Sequence, residues 1–193
     1  MSSKQNIDIV RNIYCGFDDS NHCGNNPKGE IIVGVFSERE EDFKKMLFPH
    51  RRDISSALDF VSEESRGYLF TELPRGEEYS KHFNLPLVAP VLLQEYLSRN
   101  STGMIPTMIT MGFDGPIKRK WKNILEQDLE NYDDVKIEYF TGCAKRECPP
   151  AVYMADTISN WLFGLTFEEI VTEHEEMVNI PYETLSERLK LFN

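Results

Sequence analysis

The sequence predicts an α/β protein in which strands and helices are interleaved along one domain. The chain has 193 residues and a mass of 22.4 kDa, enough for one domain with a substantial core but too little for two. Hydrophobic residues make up 40% and charged residues 27%, the balance of a globular protein rather than a disordered one. Strand-like and helix-like segments follow one another in an order that fits neither a simple alternation nor a sandwich.

In the first half of the chain, two apolar strands are predicted to form a hairpin. Alternation in the first strand places Ile13, Cys15 and Phe17 on one face, and a long turn-rich loop leads to the second strand. Ser37 is positioned to cap a charged helix that Pro49 ends. The predicted elements are a strand at 9–17, a loop at 20–29, a strand at 30–37, helices at 38–48 and 53–64, and a strand at 68–73.

In the second half of the chain, helices and strands alternate. Val88, Leu92 and Tyr96 recur near helical spacing, whereas an apolar run that ends in Asp114 suits a buried strand. The predicted elements are a loop at 74–84, a helix at 87–99, a strand at 104–114, a helix at 118–132, a strand at 135–140, a helix at 150–162 and two acidic helices within 166–191. We therefore divide the chain into a core of residues 1–164 and an acidic helical appendage of residues 165–193, packed on the same domain.

Charge and hydropathy narrow the functional classes. With 21 Lys and Arg against 32 Asp and Glu, the net charge is −11. Proteins that bind nucleic acid mainly by neutralising phosphates are usually basic, so any contact with nucleic acid must use a local patch. Apolar runs are too short to span a membrane, and the first residues lack the apolar stretch of a secretory signal. Four cysteines are too few for a disulfide framework, and these features together predict a cytoplasmic protein without membrane association.

Acidic residues lie where packing alone would not place them. Asp18 and Asp19 end the first strand, Asp114 ends the apolar strand, and Asp156 lies in an otherwise apolar helix. If the first and fourth strands are neighbours, two carboxylates end side by side, and at about 4 Å they repel by roughly 4 kcal/mol at an effective dielectric of 20. Such a cluster must share a proton or hold a cation, and oxygen ligands favour Mg²⁺ or Mn²⁺. Each acid also has a structural explanation, as a turn former or a helix cap.

These motifs resemble the ribonuclease H-like superfamily, and within it type 2 ribonuclease H. The resemblance covers about residues 9–163 and is carried by Gly-Phe-Asp-Asp-Ser at 16–20, Phe-Asp-Gly at 113–115 and Ala-Asp at 155–156. It implies a five-stranded mixed sheet flanked by helices. It also implies a nuclease that depends on a divalent metal and hydrolyses phosphodiester bonds, whose catalytic metal ligands would be Asp18, Asp19, Asp114 and Asp156.

The chain departs from the type 2 pattern at three points. Asp19 stands where type 2 enzymes have glutamate, and Ser20-Asn21-His22 replaces the glycine-arginine-glycine segment used at the RNA–DNA junction. Asp156 lies within its helix rather than at its start. Glu95, in the helix before the fourth strand, could replace the missing glutamate as in type 1 enzymes, or lie on an exposed helix face. Glu95 and His22 are secondary candidate site residues.

A basic cluster opens the helix that follows Asp114, while the later turns of that helix are acidic. This order opposes the helix macrodipole, by about 0.3–1 kcal/mol for each well-placed charge, so it favours a phosphate ligand over stability alone. In a phosphate-binding cluster, Trp121 would either stack on the ligand or pack against the protein. The alternative to phosphate binding is that the basic residues form a solvated helix face and Trp121 lies in the core. The candidate nucleic-acid contacts are Lys118, Arg119, Lys120 and Lys122.

The cysteines favour unligated thiols, with Cys15 facing the core. A zinc site with one histidine and three cysteines, built from residues on two loops, is geometrically possible but disfavoured by the loose spacing of Cys143 and Cys148. A disulfide is a further alternative. His22 and Cys23 would complete the zinc site.

A rival interpretation is a non-catalytic binding or regulatory protein on the same fold, with a degenerate acidic centre. The net charge favours it, since the acidic C-terminal region could dock a basic partner protein or cover the active face. A third possibility, sugar or nucleoside phosphorylation, lacks the glycine-rich phosphate loops that such enzymes require. The acidic residues of this C-terminal region are Glu168, Glu169, Glu173, Glu175 and Glu176.

Overall fold

A mixed five-stranded sheet organises the fold. The computed structural model describes residues 11–20, 29–48, 53–73, 84–100, 105–115, 119–140, 147–165, 169 and 174–190. The strands are β1 (Asn12–Ser20), β2 (Glu30–Ser37), β3 (Arg66–Leu73), β4 (Met108–Asp114) and β5 (Asp134–Phe140), in the spatial order β3-β2-β1-β4-β5. β1 pairs antiparallel with β2 and parallel with β4, β2 is antiparallel to β3, and β4 is parallel to β5. The predicted fold class is confirmed, and the first and fourth strands are neighbours.

Helices cover both faces of the sheet. In the described part of the chain, the helices with defined bounds are α1 (Ile54–Ser62), α2 (Asn84–Arg99), α3 (Arg119–Asp128), α4 (Pro150–Gly164) and α5 (Tyr182–Lys190). Because side chains alternate along a strand, Ile13, Cys15 and Phe17 of β1 share a core with α2 and α3. The opposite face packs against α1 and α4. Among the described residues, no helix combines the length and apolar character needed to cross a bilayer.

Two glycines let α4 lie directly on the sheet. Gly16 of β1 and Gly112 of β4 are paired across the parallel ladder. A Cβ on Gly16 would stand 2.3 Å from the carbonyl carbon of Ala151, and a Cβ on Gly112 would stand 2.6 Å from Cγ2 of Val152. The absence of side chains at both positions therefore sets how closely the start of α4 approaches β1 and β4.

The segment after β2 is not the predicted helix at 38–48. A short 3₁₀ turn forms at Glu40–Phe43, and beyond it Met46 makes an isolated antiparallel bridge with Cys148. Asp42 is buried and accepts hydrogen bonds from the Ser37 hydroxyl at 2.6 Å and from Nε and Nη2 of Arg66 at 2.6 and 2.7 Å. This buried ion pair holds the segment against β2 and β3, so the predicted helix does not form.

The prediction of two acidic helices in 166–191 is wrong for part of that range. Within the described residues 174–190, only α5 is helical, and the stretch at 174–181 is not. Phe70 of β3 donates its N–H to the carbonyl of Glu176 at 3.1 Å and accepts from the N–H of Val178 at 2.7 Å. The described part of the acidic C-terminal region thus runs beside β3, an edge strand. The boundary between a 1–164 core and a 165–193 appendage stays a prediction.

Candidate metal centre

Three of the four predicted acids come together. One carboxylate oxygen from each of Asp18, Asp114 and Asp156 lies within 4.8 Å of the other two. Asp18 and Asp156 are only 4% exposed, and Asp114 is half-buried. Since β1 and β4 are parallel and pair Phe17 with Phe113, the next residue of each strand projects at the same end of the sheet.

The position of α4 explains why the third acid reaches the other two. From the close contact at Gly16 and Val152, two strand residues advance about 6.6 Å to Asp18. Four helix residues advance about 6 Å to Asp156. Because the two advances nearly match, an acid on the strand and an acid on the helix meet beyond the glycine contact.

Asp19 does not join this group. Strand alternation directs its side chain to the opposite face of β1 from that of Asp18, and it is half-buried. Its negative charge is nevertheless close enough to raise the pKa of Asp18. Its role as a metal ligand stays a prediction.

Side chains of α4 form hydrogen bonds with the two more deeply buried carboxylates of the group. The Ser159 hydroxyl lies 3.0 Å from Oδ2 of Asp18, and Nδ2 of Asn160 donates to Oδ1 of Asp156 at 3.1 Å. The sequence interpretation missed Ser159 and Asn160. Their only signal is that polar residues recur between positions 156 and 160 of an otherwise apolar helix.

The electrostatics of the group favour a cation. Burial raises the pKa of Asp18 well above its ordinary value, and the charges of Asp156, Asp19 and Asp114 raise it further, while the hydrogen bond from Ser159 opposes the rise. Two ionised carboxylates at the observed spacing of up to 4.8 Å repel by roughly 3–4 kcal/mol at an effective dielectric of 20. A divalent ion would remove this repulsion.

A glycine turn fixes the chain directly after Asp114. Gly115 has φ of 112°, a conformation that favours glycine, and its N–H donates to the carbonyl of Phe140 at 2.6 Å. This hydrogen bond fastens the end of β4 to the end of β5. This bond keeps the half-buried Asp114 at the rim of the group.

The donor set fits a hard cation. Three carboxylates offer only oxygen, which suits Mg²⁺ or Mn²⁺ better than a thiophilic metal. Ser20, on the same face of β1 as Asp18, buries a hydroxyl oxygen that has no hydrogen-bond partner among the described residues. This oxygen lies at the same end of β1 as Asp18.

Other candidate residues lie elsewhere or outside the description. Glu95 is not brought to the group, because it forms an ion pair at 2.8 Å with Arg99 on α2, on the opposite face of the sheet. Lys122 pairs with Glu126 at 3.6 Å, and Trp121 is 3% exposed, so it packs in the core. Outside the described residues or side chains are His22, Lys118, Arg119 and Lys120.

Cys15 and Cys148 are buried free thiols. Cys15 faces the core, as expected, and burial raises the pKa of its thiol above the ordinary value. The remaining residues of the possible zinc site, His22, Cys23 and Cys143, lie outside the described residues, and the zinc and disulfide alternatives stay predictions.

Comparisons with known proteins give structural neighbours of low sequence identity and no sequence match. No family model matches the chain, and no curated protein sequence matches it. A chain in the structure of the PCNA:RNase HII complex from Archaeoglobus fulgidus is 14% identical over 93% of this chain and 88% of that chain, with a TM-score of 0.43. Ribonuclease H2 from Pyrococcus horikoshii OT3 is 14% identical over 93% of this chain and 98% of that chain, with a TM-score of 0.44. The sheet order β3-β2-β1-β4-β5 and the flanking helices agree with the five-stranded mixed sheet that the sequence predicts.

Proposed function

We propose that the protein is a divalent-metal-dependent nuclease that hydrolyses phosphodiester bonds. The observation that supports this function is the convergence of Asp18, Asp114 and Asp156, whose carboxylate oxygens lie within 4.8 Å of one another. Three acids from distant parts of the chain gather at a cost in repulsion, which a cation would offset. These acids would hold Mg²⁺ or Mn²⁺, and Asp19 is proposed as a fourth acid of the site.

The chain's own residues would prepare the site for the ion. A bound divalent ion would supply Lewis-acid activation of water and stabilisation of charge on phosphate oxygens. Hydrogen bonds from α4 hold the carboxylates of Asp18 and Asp156, and the Gly115 turn holds the end of β4. Nucleic acid would approach over the start of α3, where the proposed contacts are Lys118, Arg119, Lys120 and Lys122.

Calorimetric titration with Mn²⁺ tests this function directly. We expect Asp114→Asn to weaken Mn²⁺ binding at least about tenfold and to abolish hydrolysis of RNA, DNA and hybrid substrates, because one oxygen ligand loses its charge. Glu95→Gln is the matched control, since it removes a carboxylate on the opposite sheet face and should leave both measurements unchanged. Full Mn²⁺-dependent activity of Asp18→Asn on all three substrates would contradict the proposal.

A second candidate function is a non-catalytic binding protein with an unused acidic centre. The net charge of −11 favours it, because it suits a basic protein partner better than nucleic acid. The acidic C-terminal region is the proposed docking surface. No binding of Mn²⁺ at millimolar concentration would favour this second function over the first. A cytoplasmic location is proposed for either function.

A further inference from the structure

Ser159 connects α4 to β1. It is fully buried on α4, and its hydroxyl lies 3.0 Å from Oδ2 of Asp18 and 3.1 Å from the backbone carbonyl of Asp156. A serine inside a helix ordinarily satisfies its hydroxyl with a carbonyl of the preceding turn. Here a carboxylate of another element is equally near. An ionised carboxylate is the stronger acceptor of the two.

The orientation of Asp18 needs such a constraint. The terminal torsion of an aspartate is broad and roughly two-fold, so backbone position alone does not fix which way its oxygens point. A hydrogen bond to one oxygen fixes the rotation of the whole carboxylate. Asp156 and Ser159 are three positions apart and share a face of α4, so the same helix face supplies one acid and orients another.

We infer that Ser159 is a positioning residue, which sets the orientation of the Asp18 carboxylate for binding a divalent ion; this inference rests on the proposed function. Ser159 touches neither the ion nor the substrate, and it acts through Asp18. Partners that orient metal ligands in this way usually change metal affinity by about 10–100-fold when they are removed. The expected change in affinity is therefore large enough for calorimetry.

The test compares two deletions of a buried hydroxyl on the same helix. Ser159→Ala removes the hydroxyl beside Asp18, whereas Thr157→Val removes one that donates to the carbonyl of Tyr153 at 2.9 Å. We expect the dissociation constant for Mn²⁺ to rise about 10–100-fold in Ser159→Ala and to stay within about twofold of the wild type in Thr157→Val. Ser159→Thr keeps a hydroxyl and should restore most of the affinity. Thermal unfolding of each metal-free variant reports the stability of the fold separately.

The outcomes separate this inference from the proposed function. Wild-type affinity in Ser159→Ala would overturn the inference while leaving the function intact, and so would an equal loss of affinity in Ser159→Ala and Thr157→Val. No Mn²⁺ binding by the wild type would overturn the proposed function and the inference with it. If the added methyl lowers the unfolding temperature of Ser159→Thr, the comparison of Ser159→Ala with Thr157→Val still tests the positioning role of Ser159.

Discussion

At the scale of single residues, the surroundings of Asp18 raise the pKa of its carboxyl well above the ordinary value. Burial and three neighbouring acids raise its pKa, so the metal-free fold holds its proton to a higher pH than the unfolded chain does. As the pH rises above the pKa that Asp18 has in the unfolded chain, the unfolded state releases this proton before the folded state does. The contribution of Asp18 to stability therefore falls with rising pH until the folded pKa is passed.

This sign gives a prediction for Asp18→Asn. We expect the metal-free variant to unfold at a higher temperature than the wild type at pH 7, by roughly 2–4 °C for each kcal/mol of relieved repulsion, and the difference to disappear near pH 4. Added Mn²⁺ should stabilise the wild type and not the variant, because only the wild type gains binding free energy. Thermal unfolding across pH, with and without Mn²⁺, measures both effects. If the variant is less stable than the wild type at pH 7 without metal, burial and the neighbouring acids do not destabilise the fold through Asp18, and the prediction is wrong.

Residue chemistry also explains which parts of the site the sequence could predict. Asp18, Asp114 and Asp156 stand out because acids at strand ends or in an apolar helix are unusual, and the structure brings them together. Ser159 does not stand out, since a serine in a helix has many ordinary explanations. For Glu95 the sequence offers only an analogy with a missing glutamate, and on α2 this residue pairs with Arg99 instead.

At the scale of secondary structure, the contact between α4 and the glycines of β1 and β4 determines the geometry of the site. The Gly16 contact is with backbone atoms of Ala151, which cannot rotate away. At Gly112 the nearest atoms belong to the side chains of Val152 and Phe43, which have more freedom. Gly16 is therefore the more restrictive position.

We predict that Gly16→Ala displaces α4 and loses the metal site. The new methyl would stand 2.3 Å from a backbone atom, so destabilisation by about 1–3 kcal/mol or more and at least tenfold weaker Mn²⁺ binding are expected. Gly164→Ala, at the other end of α4 with open space around it, should stabilise the protein by up to about 1 kcal/mol. Denaturant unfolding and calorimetry compare the two variants. Unchanged Mn²⁺ affinity in Gly16→Ala would contradict the role given to this contact.

The elements themselves were predictable to different degrees. All five strands were found, because β-branched and aromatic residues alternate or run together between turn residues. The fourth strand starts at Met108 rather than at 104, after Pro106, which lacks the N–H that a strand ladder uses. The helix predicted at 38–48 does not form, because Asp42 pairs with Arg66, 24 residues away. No local sequence pattern predicts that pair.

At the scale of the whole molecule, the edges of the sheet need protection. An exposed edge strand offers unpaired backbone groups to other chains. The stretch at 174–180 covers β3 through two backbone hydrogen bonds with Phe70, and Val178 and Ile180 join the core beside α2. The acidic C-terminal region thus has a structural role at an edge that lies two strands away from β1.

Val178→Pro tests this role. Proline removes the N–H that donates to Phe70, so we expect a loss of up to about 3 kcal/mol in stability and concentration-dependent self-association through β3. Val178→Ala is the control, because it shortens the side chain and keeps the N–H. Light scattering after gel filtration measures association, and Mn²⁺ affinity should be preserved because β3 contributes no acid to the metal centre. A monomeric Val178→Pro variant at high concentration would contradict the prediction.

The hydrogen bond between Asp18 and Ser159 joins residues that are 141 positions apart. During synthesis the strand that carries Asp18 leaves the ribosome long before α4 has been made. A nascent chain that stops short of α4 holds only two of the three clustered acids, without the hydroxyl that orients one of them. The proposed hydrolytic activity therefore requires translation to have passed α4.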